Sequence, residues 1–539
     1  MPPLDLDLIP STRADGKEVA AGSVAPGNEP KMHKAVRGFI FLPTVGMRLA
    51  PEMLVLELFR EVYYSSALER KTQAQDLKPD LRDDNNDPVF TEKEQAVIFA
   101  LRGRRKQQKQ SNEDPFYAPA YPALAAHAWL SSKRERVVRR LLFNGAFAQH
   151  LWSRGEQNEQ GVREQSALVD LLIAATSGTM KAADGHSGTL HADILATCLN
   201  KDRFPLGTAD AREGLLSATS AASTDTVYVS PHADQLADRI FSDFSEICRL
   251  EARLPRLLWI RLLMTYLRFA LPMWLLAQMR ITVIVHDWFM QALDGGACPD
   301  DATIFLALAS RNRGLIRPTL TGTREMLGRI TEYMRCRIRL NVILNCLEQL
   351  RPQEFAGNIM TTQEIGNGKL KLSDALLAAR RARTELQGDR AYGDATNTTT
   401  FASRVSERYA AWRDPLNYGQ GKNIDEFMRV LYRADRGDEA GGYLLIRQGR
   451  AESLSFRVFP GQMLLQTVAQ LANRSKQGSN PSGGGKLVLK DIEEHFAEYG
   501  IDFTLAADAR PSLMDELKAL GLLAGSPDAG SSVAVSCPF

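Results

Sequence analysis

FALPMWLLAQMRITVIVHDW, Phe269 to Trp288, is the most apolar window of helical length in this 539-residue chain, and its reading decides the fold. A bilayer span needs about 20 predominantly apolar residues. Here Pro272, Gln278, Arg280 and His286 interrupt the run, and an arginine near the middle of a bilayer is costly. The segment just before it, LPRLLWIRLLMTYLR, carries Arg256, Arg261 and Arg268 at spacings of five and seven. Charges set into an otherwise apolar run predict buried core helices of a soluble protein, with Pro255 and Pro272 as break points between them. A cytoplasmic protein with no membrane partner is expected.

Composition agrees with that reading. Hydrophobic residues make up 44% and charged residues 24% of the chain, the balance of an ordinary globular protein. The formal charge of +2 supplies no whole-protein field for nucleic acid or membrane, so such a partner must be met by a local patch. Cys198, Cys248, Cys298, Cys336, Cys346 and Cys537 are scattered and form no C-x-x-C pair. That pattern suits reduced thiols rather than a disulfide framework or a zinc knuckle. The opening Met1–Pro30 is neither basic at its start nor continuously apolar, which argues against a secretory signal, and it reads as a flexible lead-in.

The chain divides into four parts: a flexible segment 1–33, a mostly helical region 34–155 with a basic helix, a central helical domain 156–440, and a terminal region 441–539. Helical periodicity marks ADQLADRIFSDFSEICRLEARL, TGTREMLGRITEYMRCRIRLNVILNCLEQL and DALLAARRARTELQ in the central part. No internal period of 20–50 residues supports a repeat solenoid. Around Gly441 the texture changes. GGYLLIRQGRAESLSFRVFPG places β-branched and aromatic residues on both sides of Gly449-Arg450, the pattern of a hairpin.

Three helical patterns follow it: Gln462–Arg474, Leu489–Gly500 and Pro511–Gly521. Leu513, Leu517 and Leu520 recur at i, i+4 and i+7 on the third, and Gly521 is well placed to stop it. LLAGS, a Pro-Asp-Ala-Gly turn and SSVAVS then close the chain. This order resembles a winged-helix domain, with Leu522–Gly525 and Ser532–Cys537 as the wing strands. The fold class expected is mainly α: a large multi-helix body followed by a small α+β winged-helix-like domain. GSNPSGGGKL, Gly478 to Leu487, is no phosphate cradle. A P-loop would need glycine at Asn480 and a hydroxyl at Leu487. It reads as a loop between the first two of those helices.

The resemblance implies contact with DNA or docking of proteins. Winged helices often lay their third helix in the major groove, and here that helix offers Arg510, Ser512, Asp515, Glu516 and Lys518. Two acids among five polar residues depart from the DNA-binding norm, and the wing carries Asp528 with no cation. A stronger basic patch is SSKRERVVRRLLF, where Lys133, Arg134, Arg136, Arg139 and Arg140 stand against Glu135 alone. GRRKQQKQ adds Arg104, Arg105 and Lys106. Such a ridge can track phosphates with a salt-dependent affinity, although a solvated helix face explains it too.

Catalytic signals are weak. Asp184, His186, His191 and Asp193 cluster in DGHSGTLHAD, with His232 farther on. The i, i+5 histidine spacing does not put both imidazoles on one helical face as a zinc helix requires, and a polar loop with a helix cap accounts for them. His286 and Asp287 form an adjacent pair in an apolar helix that more often satisfies itself in a core than acts on a substrate. The expectation is therefore a non-catalytic DNA- or protein-binding scaffold subunit of a multi-protein complex, a type found in bacterial antiviral defence and DNA-processing systems. No cofactor or metal is expected for it. The alternatives are a metal-dependent nuclease or hydrolase at Asp184, His186 and His191, and a winged-helix transcriptional regulator.

Overall fold

In the structure, a computed structural model, Arg256–Leu293 forms one unbroken 38-residue helix and the other described elements gather around it. The described residues are Pro51, Leu54, Val55 and Leu58, then 171, 172, 174 and 175, and then 235–319, 322–355, 358–360, 369–388, 419–433, 441–448, 455–479, 486–505, 509–524 and 532–539. In chain order the elements are α1 (Gln235–Leu250), α2 (Arg256–Leu293), α3 (Asp301–Ala309), α4 (Gly322–Leu350), β1 (Asn358–Met360), β2 (Lys369–Lys371), α5 (Leu372–Gly388), α6 (Gly419–Met428), β3 (Leu445–Gln448), β4 (Ser455–Val458), α7 (Gln462–Ser479), α8 (Leu489–Glu498) and α9 (Ala509–Ala519). The described protein is mainly α.

Every residue from Leu262 to Met279 is buried. That is why α2 has little amphipathic periodicity: a helix apolar all round belongs inside a core. It is long and apolar enough to cross a membrane, yet 83% of its most apolar window is covered by protein. Neighbours on several sides supply the cover, namely α1, α4, α5, α7 and the 3-10 turn Arg429–Leu431.

Pro255 stands at the helix start as expected, but Pro272 does not break α2. Proline removes the N–H that would reach the Arg268 carbonyl one turn earlier, and in an exposed helix that costs about 3 kcal/mol. Here dense packing on both sides of Pro272 outweighs the loss. The interrupting arginines are accommodated too. Arg268 is buried and donates to the carbonyls of Val430 and Tyr432. Arg280 donates to the carbonyls of Arg311 and Arg313. Each guanidinium thus closes the end of a neighbouring segment.

The two small sheets are a parallel pair, β1 with β2, and an antiparallel hairpin, β3 with β4, in the register Leu445↔Val458 to Gln448↔Ser455. The hairpin is the one its sequence pattern announces, and Tyr432 bridges to Leu445 at its edge. Beyond α9 the backbone makes single bridges on both sides of the closing segment. Val488 bridges Ala534 and Val535 bridges Leu523, both antiparallel. The terminal segment lies in the middle, with Val535 donating to the Leu487 carbonyl and Ser536 to that of Leu522. Gly521 ends α9 at φ +68°, a left-handed conformation that glycine adopts without cost. At the end of α8, Gly500 has φ +94°, and a Cβ there would sit 2.2 Å from the Asn312 carbonyl oxygen. Its own carbonyl accepts from Ile316 N–H at 3.1 Å.

Candidate functional site

The C-terminal helices meet the body around the middle of α2. Phe269 lies 4.7 Å from the Tyr499 ring and 5.9 Å from the Phe496 ring, centroid to centroid. Beside this contact, a buried polar group spans three elements. Tyr499 donates to Asp243 Oδ2 at 2.8 Å, and His495 Nε2 lies 2.9 Å from the same oxygen. The phenol oxygens of Tyr266 and Tyr499 are 3.2 Å apart, and Tyr266 donates to the Ile240 carbonyl at 3.0 Å. All four side chains are buried. Burial, reinforced by the negative charge of Asp243, pushes both phenols well above the usual tyrosine range. They therefore stay protonated and serve as donors to a buried carboxylate, which must be paired in such surroundings.

Above this group opens a cleft of about 1000 Å³ between α1, α7, α8 and the Asn312–Gly314 turn. Its charges pair across the gap. Arg239 reaches Glu498 at 2.5 Å and Asp243 at 3.7 Å, and donates to Ser475 Oγ at 3.1 Å. Burial opposes the Arg239 charge, but the Asp243 and Glu498 carboxylates outweigh it and hold its pKa above the ordinary value. Arg474 reaches Glu246 at 3.4 Å. These contacts bind α1 to α7 and α8, so the buried group and the cleft wall act as a fastening between the body and the terminal helices. The hydroxyls at Asp243 are phenols held in their protonated form, which suits anchoring rather than nucleophilic attack.

On α9 the residues singled out for phosphate contact fall into two classes. Arg510, at the surface, covers buried Glu493 of α8 with two bonds, Nε to Oε1 at 2.5 Å and Nη2 to Oε2 at 2.7 Å. Those bonds raise the Arg510 pKa further. Ser512 accepts from Arg457 of the β3–β4 hairpin. Lys518 is exposed, and so is Asp515 one turn before it. The open face of α9 therefore presents Pro511, Asp515, Lys518 and Ala519, with no net charge.

The ridge Lys133, Arg134, Arg136, Arg139 and Arg140, the segment Arg104, Arg105 and Lys106, and the cluster Asp184, His186, His191 and His232 lie outside the described residues. His286 and Asp287 are in contact as expected, with Nδ1 2.9 Å from Oδ1, the imidazole buried and the carboxylate 67% exposed.

The Asp243 group was not read from the sequence, although a signal exists. Asp243 sits three residues after Ile240 and four before Ile247, on the apolar stripe of α1, and His495 stands likewise between Ile492 and Tyr499. A polar residue on a buried stripe demands a partner, but the partners are too far apart in the chain to be matched by inspection. No protein-family model matches the sequence, and neither a curated protein nor a solved structure shows detectable similarity to it.

Proposed function

We propose that this chain is a non-catalytic scaffold subunit whose C-terminal unit is a winged helix used to dock a protein rather than to read DNA. The helix order α7, α8, α9 supports the winged-helix reading, as does the closing segment, which makes single antiparallel bridges to Val488 on one side and Leu523 on the other. One observation carries the choice of ligand. Arg510 is committed to Glu493, and the only lysine on the open face of α9 stands beside an aspartate. Duplex DNA binding draws most of its affinity from cations set against phosphates, and this helix offers no such surplus. DNA contact by the chain, on this reading, belongs to the basic segments at 104–106 and 133–140.

The test is a salt series of binding to a short duplex with the full chain. Replacement of the five ridge cations by alanine weakens binding and flattens the salt slope by about 0.9 for each phosphate left without its cation. Lys518→Ala leaves both unchanged. A fall in slope of about one on Lys518→Ala overturns the docking reading and makes α9 the DNA reader. In the native cell, a photo-crosslinking residue at Asp515 is expected to capture one discrete protein. Capture of DNA alone at that position has the opposite meaning.

A further inference from the structure

The pair His286–Asp287 has a third neighbour that the docking reading does not use. α2 and α4 pack along their lengths, and Cys336 of α4 faces the pair. One donor atom from each of His286, Asp287 and Cys336 lies within 4.8 Å of the other two. The imidazole and the thiol are both buried, whereas the carboxylate opens to solvent. His286 Nε2 is buried without a hydrogen-bond partner among the described atoms. On α4, exposed Glu332 acts on the thiol electrostatically, and Arg335 and Arg339 act on it with the opposite sign.

We infer that His286, Asp287 and Cys336 form a Zn²⁺-binding site that bridges α2 and α4 and keeps one coordination position open to water. The donor set selects the ion. Nitrogen, oxygen and sulfur together suit a borderline-soft cation, while Mg²⁺ and Ca²⁺ take oxygen ligands and reject thiolate. Three protein ligands are the number that leaves zinc a water or substrate position, and the exposed side of Asp287 is where it opens. Tetrahedral bonds of about 2.0–2.3 Å put donor atoms about 3.3–3.8 Å apart. Binding therefore draws the donor atoms together from their present spacing of up to 4.8 Å. Binding displaces one proton: the Cys336 S–H bond breaks, its electron pair goes to the metal and the proton goes to solvent. The site is separate from α9 and stands or falls independently of the docking proposal.

The experiment uses the full chain stripped of metal by chelation and titrated with Co²⁺ as a spectroscopic stand-in for Zn²⁺. One equivalent is expected to produce the near-ultraviolet band of thiolate bound to cobalt, and Zn²⁺ displaces it. Cys336→Ser abolishes the band. Asp287→Asn, which alters an exposed side chain and leaves the fold intact by circular dichroism, weakens Co²⁺ affinity at least tenfold and lowers the thermal shift that Zn²⁺ produces. A titration without a thiolate band overturns the proposal. A band of unchanged amplitude and affinity in both variants does the same, because it assigns the metal to another cysteine.

Discussion

Tyr499→Phe removes one oxygen atom from the junction between body and terminal helices, and its cost follows from what that oxygen touches. The phenol donates to Asp243 at 2.8 Å and lies 3.2 Å from Tyr266. A hydrogen bond to a buried charge contributes about 1.5–3 kcal/mol, and the Tyr266 contact adds little because the Tyr266 proton goes to the Ile240 carbonyl. The ring remains, so the contact with Phe269 at 4.7 Å persists and no cavity opens. The cost is about 1.5–3 kcal/mol, felt first where α8 separates from α1 and α2. Native-state hydrogen exchange read on peptides covering 489–499 isolates that opening from unfolding of the whole chain. At 1.4 kcal/mol per factor of ten, exchange there accelerates roughly 10-fold to 150-fold, while peptides of α5 change little. Asp243→Asn combined with Tyr499→Phe then costs less than the sum of the single changes, by about 1–3 kcal/mol of coupling. Acceleration below about threefold, or strict additivity in the double variant, refutes the claim that this hydroxyl holds the junction.

Four further outcomes are expected. Leu513→Ala, at a position 1% exposed, opens a cavity in the hydrophobic core and destabilises the protein by about 2–5 kcal/mol, read as a shift of the denaturation midpoint. Gly500→Ala meets a carbonyl oxygen at 2.2 Å from a left-handed backbone. It costs about 1–3 kcal/mol for overpacking and a further 1–2 kcal/mol or so for the backbone, and the soluble yield falls accordingly. Burial raises the Cys248 thiol to about 12, so the folded state keeps a proton that the unfolded chain loses near pH 9. Stability therefore declines as pH rises from about 9 toward 12. Cys248→Ala flattens that alkaline limb in a thermal-midpoint series, and an unchanged limb sinks the assignment. Among the four described cysteines, exposed Cys537 is the first to react with a thiol reagent at pH 8.

Local chemistry was the most legible part of this sequence. Leu513 and Leu517 fall on the buried side of α9, Gly521 stops it, and the run around Gly449-Arg450 is flanked by paired strands. Those signals are short-range: period, turn residue and cap. Pro272 misled because proline's cost is local, while the packing that overrides it comes from segments far along the chain. Asp300, which caps α3 by accepting from Thr303 N–H at 2.8 Å, is a signal of the ordinary kind that was overlooked. The site was much less legible. Arg510 looks like a free cation in sequence and becomes half of a paired group only when α8 packs on α9. Asp243 and His495 acquire meaning only through each other.

The largely apolar surface of α2 has a consequence for how the protein is made. Tyr266 waits for Tyr499, 233 positions later in the chain. At about 5–20 residues per second on the ribosome, that delay is roughly 10–50 s, during which a long and mostly apolar helix lacks part of its cover. The nascent chain is therefore expected to engage a holding chaperone after α2 emerges and to release it once α8 is synthesised. Ribosome-bound chains halted before residue 460 should retain the chaperone, and completed chains should not. Equal retention by both would mean that the N-terminal partners of α2 shield it unaided.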